Sequence, residues 1–432
     1  IAEPPSVWQE YTDPKFRELV MQCRPVGQLD SIFVEDQGIG VSCAPACIPN
    51  AYGTEVTWDD IVPGSYDPAE RLKVMDAEGL DAALMFPSLH LLSGDISEPD
   101  VAAANARGYN RWMADFVSEN RDRLYGVGVA PLQSTDHAIA EIAACAEAGL
   151  HVVCEKPIGV NAAEASEIWN AYRESGLGHF VPLWTRYVDV FRKAREICAS
   201  GQLGEVRAFV YRWHNPRPAS MPLTWRDDAT ISSAGSIADV GSHAYDAVRW
   251  ILGEEAKRVQ THADVVSPPK SDLGDINLGE AIAWGEEHAE PGDTERRKGS
   301  SYDYASISVE LDSGAVGTMV LSHASFLRKG VAPELELHGS DASLSIDRIS
   351  GAVRLFRTDA EPETVATLPD EGQGNRFKQY AFPGLRDRIE GRPCPHPGLD
   401  DGYRVQLFTD AAERSARQGG WVELSAIADE LA

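Results

Sequence analysis

From Pro68 onward, short apolar runs alternate with longer amphipathic stretches, and that alternation limits the fold more than any other feature of the chain. Leu80–Pro87 (LDAALMFP), Leu124–Ala130 (LYGVGVA) and His151–Cys154 read as buried strands. Pro68–Glu78, Ala102–Asn120 and Asp136–Ala148 read as the helices between them, each with one apolar face. Strands separated by helices of this length need crossover connections, which build a parallel sheet. The pattern continues through a helix over Ala162–Glu174, a strand over His179–Leu183 and a helix over Val188–Ser200. Beyond Gly204 the period changes to two. Glu205–Trp213, Tyr304–Leu311, Gly314–Ser322, Glu334–His338 and Ala352–Arg357 alternate as half-buried antiparallel strands do. The expected class is α/β: an incomplete parallel βα sheet, followed by an α+β domain with a large, mostly antiparallel sheet. Ile1 to about Ser65 is rich in Pro, Asp and Gly and reads as irregular, and Val265–Ser301 as a polar excursion.

A length of 432 residues allows two or three domains. With 39 Lys+Arg against 67 Asp+Glu the net charge is −28, a surface that repels phosphate. Nucleic acid and anionic membranes are therefore not expected partners. The apolar runs fall far short of the about 20 residues of a spanning helix, and no basic segment leads into an apolar one at the start. Seven Cys, odd in number and scattered, fit a reducing cytoplasm. Cys43 and Cys47 form the only close pair, and without a second pair or a nearby His they do not predict a metal site. Residue 1 is Ile, so the chain is expected to be processed or to begin inside a longer reading frame.

Two constellations could carry chemistry. In AGLHVVCEKP (Ala148–Pro157) an apolar strand runs into Glu155-Lys156-Pro157, which sets a Lys at the carboxyl end of a parallel strand. Open α/β sheets bind ligands at that end, and Pro157 restricts the backbone of Lys156. The alternative is a solvated Lys beside a Glu in a loop. In AGSIADVGSHAYD (Ala234–Asp246), a helix would place Asp239, His243 and Asp246 at i, i+4 and i+7 on one face. A His flanked by carboxylates is suited to proton transfer. The alternative is a capped surface helix with a solvated His.

Together the two motifs resemble the Gfo/Idh/MocA (glucose–fructose oxidoreductase and inositol dehydrogenase) family. The text from Thr185 to Phe209, from Ser306 to Ser322, from His338 to Asp347 and from Tyr403 to Leu424 is similar to the rest of that family's pattern. The resemblance covers about residues 136–432. It implies a Rossmann-like remnant over 136–185 and a substrate and oligomerisation domain over 186–432. It also implies NAD(P)-dependent hydride transfer on a sugar, cyclitol or related polyol. By the same resemblance, Lys156, Asp239 and His243 are catalytic, and Glu155, Lys156, Pro157 and Arg186 lie by an NAD or NADP cofactor, with Tyr187 beside Arg186. A small-molecule substrate and a homo-oligomer are the implied partners.

The Gly-rich fingerprint of such a family, a strand followed by G-x-G-x-x-G, does not occur ahead of Lys156. Gly38-Ile39-Gly40 lacks the third Gly and follows Glu35-Asp36-Gln37. Residues 1–135 instead resemble the amidohydrolase-related (amidohydrolase 2) family of metal-dependent hydrolases and decarboxylases. Ile1–Tyr11, Tyr66 through Leu89, Tyr109–Phe116 and Asp122–Leu132 carry that resemblance. The family's His ligands are not present in this segment, and Glu3 alone cannot hold a catalytic metal. The chain thus reads as a chimera joined between about Pro131 and Cys145, with barrel-type βα units ahead of the dehydrogenase-like part. The strands over Leu80–Pro87 and Leu124–Ala130 are expected to pair beside His151–Cys154, and a closed eight-stranded barrel is not expected. The leading expectation is an oxidoreductase. The alternatives are a metal-dependent hydrolase or decarboxylase and a catalytically incomplete chimera.

Overall fold

A computed structural model describes residues 1–26, 29–34, 37–42, 58–131, 133–274, 276, 278–288, 295–368 and 376–431. Cys43 and Cys47 lie outside the described residues. The chain divides into two compact units: residues 1–152 with 170–178, and residues 153–169 with 179–432.

In the first unit, Ala83–Met85 pairs in parallel with Leu124–Gly126, and the helix Pro99–Ser118 lies between them in sequence. Tyr109, Trp112 and Phe116 recur at helical spacing, with successive ring centroids 5.9 and 5.6 Å apart. Trp8, Met21 and Met75 close around them, fully buried. Each such side chain contributes about 1.5–3 kcal/mol by leaving water. The helix Pro68–Glu78 has clear local causes. Asp67 accepts from the Glu70 N–H at 3.0 Å, Pro68 fills the first turn, and Gly79 ends it at φ +68°.

Two expectations change here. Val152–Val153 belongs to a different sheet, so the parallel pair stays two-stranded among the described residues, and no barrel closes. The segment read as irregular contains an antiparallel sheet of Gln22–Val26, Leu29–Val34 and Gln37–Ser42. Its Pro25 is tolerated because the first strand is an edge. Glu3 is buried, and its carboxylate accepts from the N–H groups of Ser88 (2.9 Å), Leu89 (2.9 Å) and His90 (3.3 Å). It holds the start of the 3₁₀ turn Leu89–Asp95. No group of three or more His, Cys, Asp or Glu placed to hold a metal occurs among the described residues.

The second unit is built on a nine-stranded sheet. Its spatial order is Glu363–Thr367, Ala352–Phe356, Ser343–Asp347, Leu335–Gly339, Val206–His214, Val316–Ser322, Tyr304–Leu311, Ala256–Asp264 and Val422–Glu423. Every neighbouring pair is antiparallel except Val206–His214 with Val316–Ser322. Ala305, Ile307, Val309 and Leu311 point to one face and are buried, as the period of two predicts. Helices Asp189–Ala199 and Leu399–Gln418 pack on the sheet. The polar excursion has structure of its own: a ladder of Lys270–Ser271 with Arg296–Arg297, and a helix over Leu278–Glu287. Among the described residues no helix is long and apolar enough to cross a membrane.

Candidate active site

The segment carrying the second motif begins at Gly235, whose φ of +56° sets it against Tyr302 and Ser301. A π-helical turn over Ile237–Gly241 follows, and the α-helix Ser242–Leu252 continues from it. The wider turn changes the register between Asp239 and the helix. Asp239 and His243 stay at the same end of the second unit as Lys156, whereas Asp246 turns into the core.

Lys156 Nζ, mostly buried with 16% of its side chain exposed, donates to the Asp239 carbonyl at 3.0 Å and to Oδ1 at 3.3 Å. The other carboxylate oxygen lies 3.2 Å from His323 Nε2, 3.9 Å from Arg217 Nη2 and 4.0 Å from Arg226 Nε. Burial alone would raise the Asp239 carboxyl, but His323, Lys156 and Arg226 hold it well below the usual carboxylate range. Asp239 is therefore an anion that fixes an ammonium.

His243 stacks on Trp213 with ring centroids 5.9 Å apart. Burial pushes its imidazole down to about 3, and the Lys156 charge adds to this while Asp239 opposes it. The ring is neutral at ordinary pH. Its Nδ1 is buried with no hydrogen-bond partner in the protein. A buried nitrogen without a partner has an unused place for a hydrogen bond.

Asp246 and Arg186 form a separate assembly. Arg186 gives Nε to Asp246 Oδ2 at 2.7 Å, and Nη2 to Asp246 Oδ1 at 2.6 Å and Asp401 Oδ1 at 2.7 Å. Arg249 Nη1 also donates to Asp401, at 2.6 Å. Asp246 has no exposed surface, and burial raises its carboxyl against the pull of Arg186. Arg186 thus has an ion-network role that the sequence did not suggest. Tyr187 stacks on Tyr380 at 3.8 Å and bonds His396 Nδ1 at 2.7 Å. Glu155 is exposed, and the Lys156–Pro157 peptide is cis.

His323, Arg217 and Arg226 were not singled out in the sequence. His323 follows a strand end directly, and the two Arg sit in Pro216-Arg217-Pro218 and Trp225-Arg226. Only those turn signals could have drawn attention to them.

Two family models match the chain: "Oxidoreductase family, NAD-binding Rossmann fold" over residues 113–181, and "GFO/IDH/MocA C-terminal domain" over residues 191–345. Over these stretches the chain belongs to the Gfo/Idh/MocA oxidoreductase family. The first match begins inside the stretch that resembles amidohydrolases. The chain is 26% identical over 356 residues to levoglucosan dehydrogenase of Pseudarthrobacter phenanthrenivorans, covering 77% of this chain and 88% of the relative. It is also 26% identical over 299 residues to myo-inositol 2-dehydrogenase of Thermotoga maritima, covering 66% and 76%. Among solved structures, a levoglucosan dehydrogenase in complex with NADH and levoglucosan superposes with a TM-score of 0.55 at 20% identity, covering 72% of this chain and 83% of that one. This Gfo/Idh/MocA chain is accordingly an oxidoreductase whose relatives are dehydrogenases.

Toward the reacting end of a nicotinamide cofactor, the residues present offer the Lys156 ammonium and the unpartnered His243 Nδ1. They do not reproduce the pyrophosphate cradle. Gly38 and Gly40 lie within an antiparallel strand, with Gly38 packed on the Phe33 ring, rather than in a strand-to-helix turn.

Proposed function

We propose that the chain oxidises a secondary alcohol of a sugar, cyclitol or related polyol with NAD or NADP, and that Lys156, Asp239 and His243 carry the chemistry. The observation that supports this most is the Lys156–Asp239 pair, with the neutral His243, its Nδ1 unpartnered, on the helix that continues from the Asp239 turn. The cofactor, when bound, supplies a hydride acceptor. His243 takes the hydroxyl proton, a role worth about 10²–10⁴-fold in rate. Lys156 stabilises the developing alkoxide, and Asp239 holds the ammonium in place. The dehydrogenase names of the relatives point the same way. Glu155, Lys156 and Pro157 would form the turn that faces the nicotinamide.

In the same reading, residues 1–135 are a retained amidohydrolase-like segment, 136–185 the end of a dinucleotide-binding domain, and 186–432 the substrate domain. A homo-oligomer would use the exposed face of the nine-stranded sheet, where Val316 and Phe356 are open to solvent. A second reading, a chimera lacking catalysis, is favoured by Gly38 and Gly40 lying in antiparallel structure. Calorimetric titration of the full chain with NAD⁺ and NADP⁺ separates the two. Binding at sub-millimolar cofactor, with turnover lost in Lys156→Ala at an unchanged melting temperature, supports the enzyme. No heat at millimolar cofactor supports the incomplete chimera.

A further inference from the structure

Asp239 has more cations around it than one carboxylate can pair. Lys156 is hydrogen-bonded to it, but Arg217 Nη2 and Arg226 Nε stop at 3.9 and 4.0 Å, too far for a hydrogen bond. The other carboxylates nearby are already engaged. Asp227 accepts from Lys270 Nζ at 2.6 Å and from the N–H of Thr224 at 3.0 Å. Asp303 accepts from the N–H groups of Val266 at 2.7 Å and Ser267 at 3.0 Å. Arg217 comes within 3.8 Å of Asp227, again without a hydrogen bond. Among the described residues neither guanidinium has a side-chain hydrogen bond to an acceptor.

The charge balance follows directly. Lys156, Arg217, Arg226 and Lys270 set four positive charges against the three carboxylates of Asp239, Asp227 and Asp303, which leaves one excess positive charge in a chain of net charge −28. Arg217 is only 14% exposed, and its burial is an electrostatic cost that no partner in the protein offsets by a direct bond. Arg226 is held over the Trp225 ring at 4.3 Å. Arg217 also lines a cavity of about 330 Å³ with Pro216, Phe326 and Arg328, although Arg226, Lys156, Asp239 and His243 do not line it. Guanidinium forks match planar oxyanions in two-point hydrogen bonds.

We propose that the substrate carries an oxyanion, a sugar-acid or cyclitol-acid carboxylate, and that Arg217 and Arg226 bind it. This rests on the dehydrogenase reading above. In the reaction the CH–OH carbon gives its hydride to NAD(P)⁺ and its hydroxyl proton to His243, forming a ketone, while the carboxylate is unchanged. A neutral polyol would leave both guanidinia unpaired. A phosphate ester shares the recognition chemistry, so it is one arm of the test.

Calorimetry on the full chain without cofactor compares D-glucuronate, glucose 6-phosphate and D-glucose, followed by NAD(P)H formation with each. Either anion binds at least tenfold more tightly than glucose, and tightness falls with added NaCl. Tighter glucuronate assigns the site to a carboxylate, and tighter glucose 6-phosphate to a phosphate ester. In Arg217→Gln or Arg226→Gln, whichever keeps the wild-type melting temperature, the anion-to-neutral preference drops about tenfold or more. Equal binding of glucose and both anions, no binding of any, or a preference untouched by both substitutions overturns the proposal. Anion binding without NAD(P)H formation upholds the site and sinks the dehydrogenase reading. Oxidation of glucose with no anion preference does the reverse.

Discussion

Asp239 and Asp246 lie seven residues apart, and helical spacing predicts that they face the same way. The π-helical turn parts them: Asp239 enters a cationic cluster, while Asp246 enters a buried network with Arg186, Arg249 and Asp401. Removing Arg186 would take both of its hydrogen bonds from the fully buried Asp246, leaving it only Arg249 at 3.5 Å, while Asp401 keeps Arg249 at 2.6 Å. Arg186→Met should therefore lower stability by about 3–5 kcal/mol in urea unfolding, the usual consequence of breaking such a network from one side. If Arg186 serves only a cofactor, stability holds and KM for the dinucleotide rises instead. His243 gives a second expectation. With its imidazole pushed down to about 3, it is already neutral throughout pH 5–8. The profile of kcat/KM should show no acid limb near 6.5, and a limb there would mean that the ring is solvated. The contact of Lys156 with Asp239 joins residues that the sequence singled out, because each sits in a short contiguous motif. Arg217, Arg226 and His323 were not singled out, because they reach Asp239 from separate segments that only the tertiary fold brings together.

The element that positions Asp239 depends on one glycine. A Cβ on Gly235 would meet the Tyr302 backbone oxygen and come within 2.6 Å of Ser301 Oγ, at a φ of +56° that side chains resist. Gly235→Ala should cost about 1–3 kcal/mol by thermal unfolding and lower turnover more than the lost stability explains, because the π turn shifts with it. Wild-type kcat in a folded Gly235→Ala protein would show that Asp239 tolerates displacement. Elements were legible where the sequence carries both a pattern and its ends. Pro68–Glu78 was read over the same residues because Asp67, Pro68 and Gly79 mark both of its ends. Leu80–Pro87 shrank to Ala83–Met85 because an apolar run reports burial rather than ladder length. The sheet over 22–42 was missed because Pro25, Gly38 and Gly40 read as breakers, although an edge strand and a close ring contact accommodate them.

Across the whole molecule, buried imidazoles are distributed between the two units. Burial pushes His90 of the first unit down to about 3, His179 of the second to about 4 and His243 to about 3. In the unfolded chain each takes a proton near 6.5. Between that value and the folded ones, the unfolded state binds more protons, so stability is full above about pH 6.5 and is lost as pH falls toward 4. The loss approaches about 1.4 kcal/mol per pH unit for each ring. Self-repulsion of a chain with net charge −28 acts in the opposite direction, since protonating carboxylates would relieve it. At pH 5, however, most carboxylates with ordinary values near 4 are still ionised, so that relief is small while the imidazole loss is well advanced. Calorimetric melting should therefore give a lower Tm at pH 5 than at pH 7, at matched ionic strength. In His90→Phe, which removes the only such group among these three in the first unit, the pH dependence should shrink. An equal or higher Tm at pH 5 would mean that charge relief outweighs buried histidine, and that these rings take up protons without unfolding.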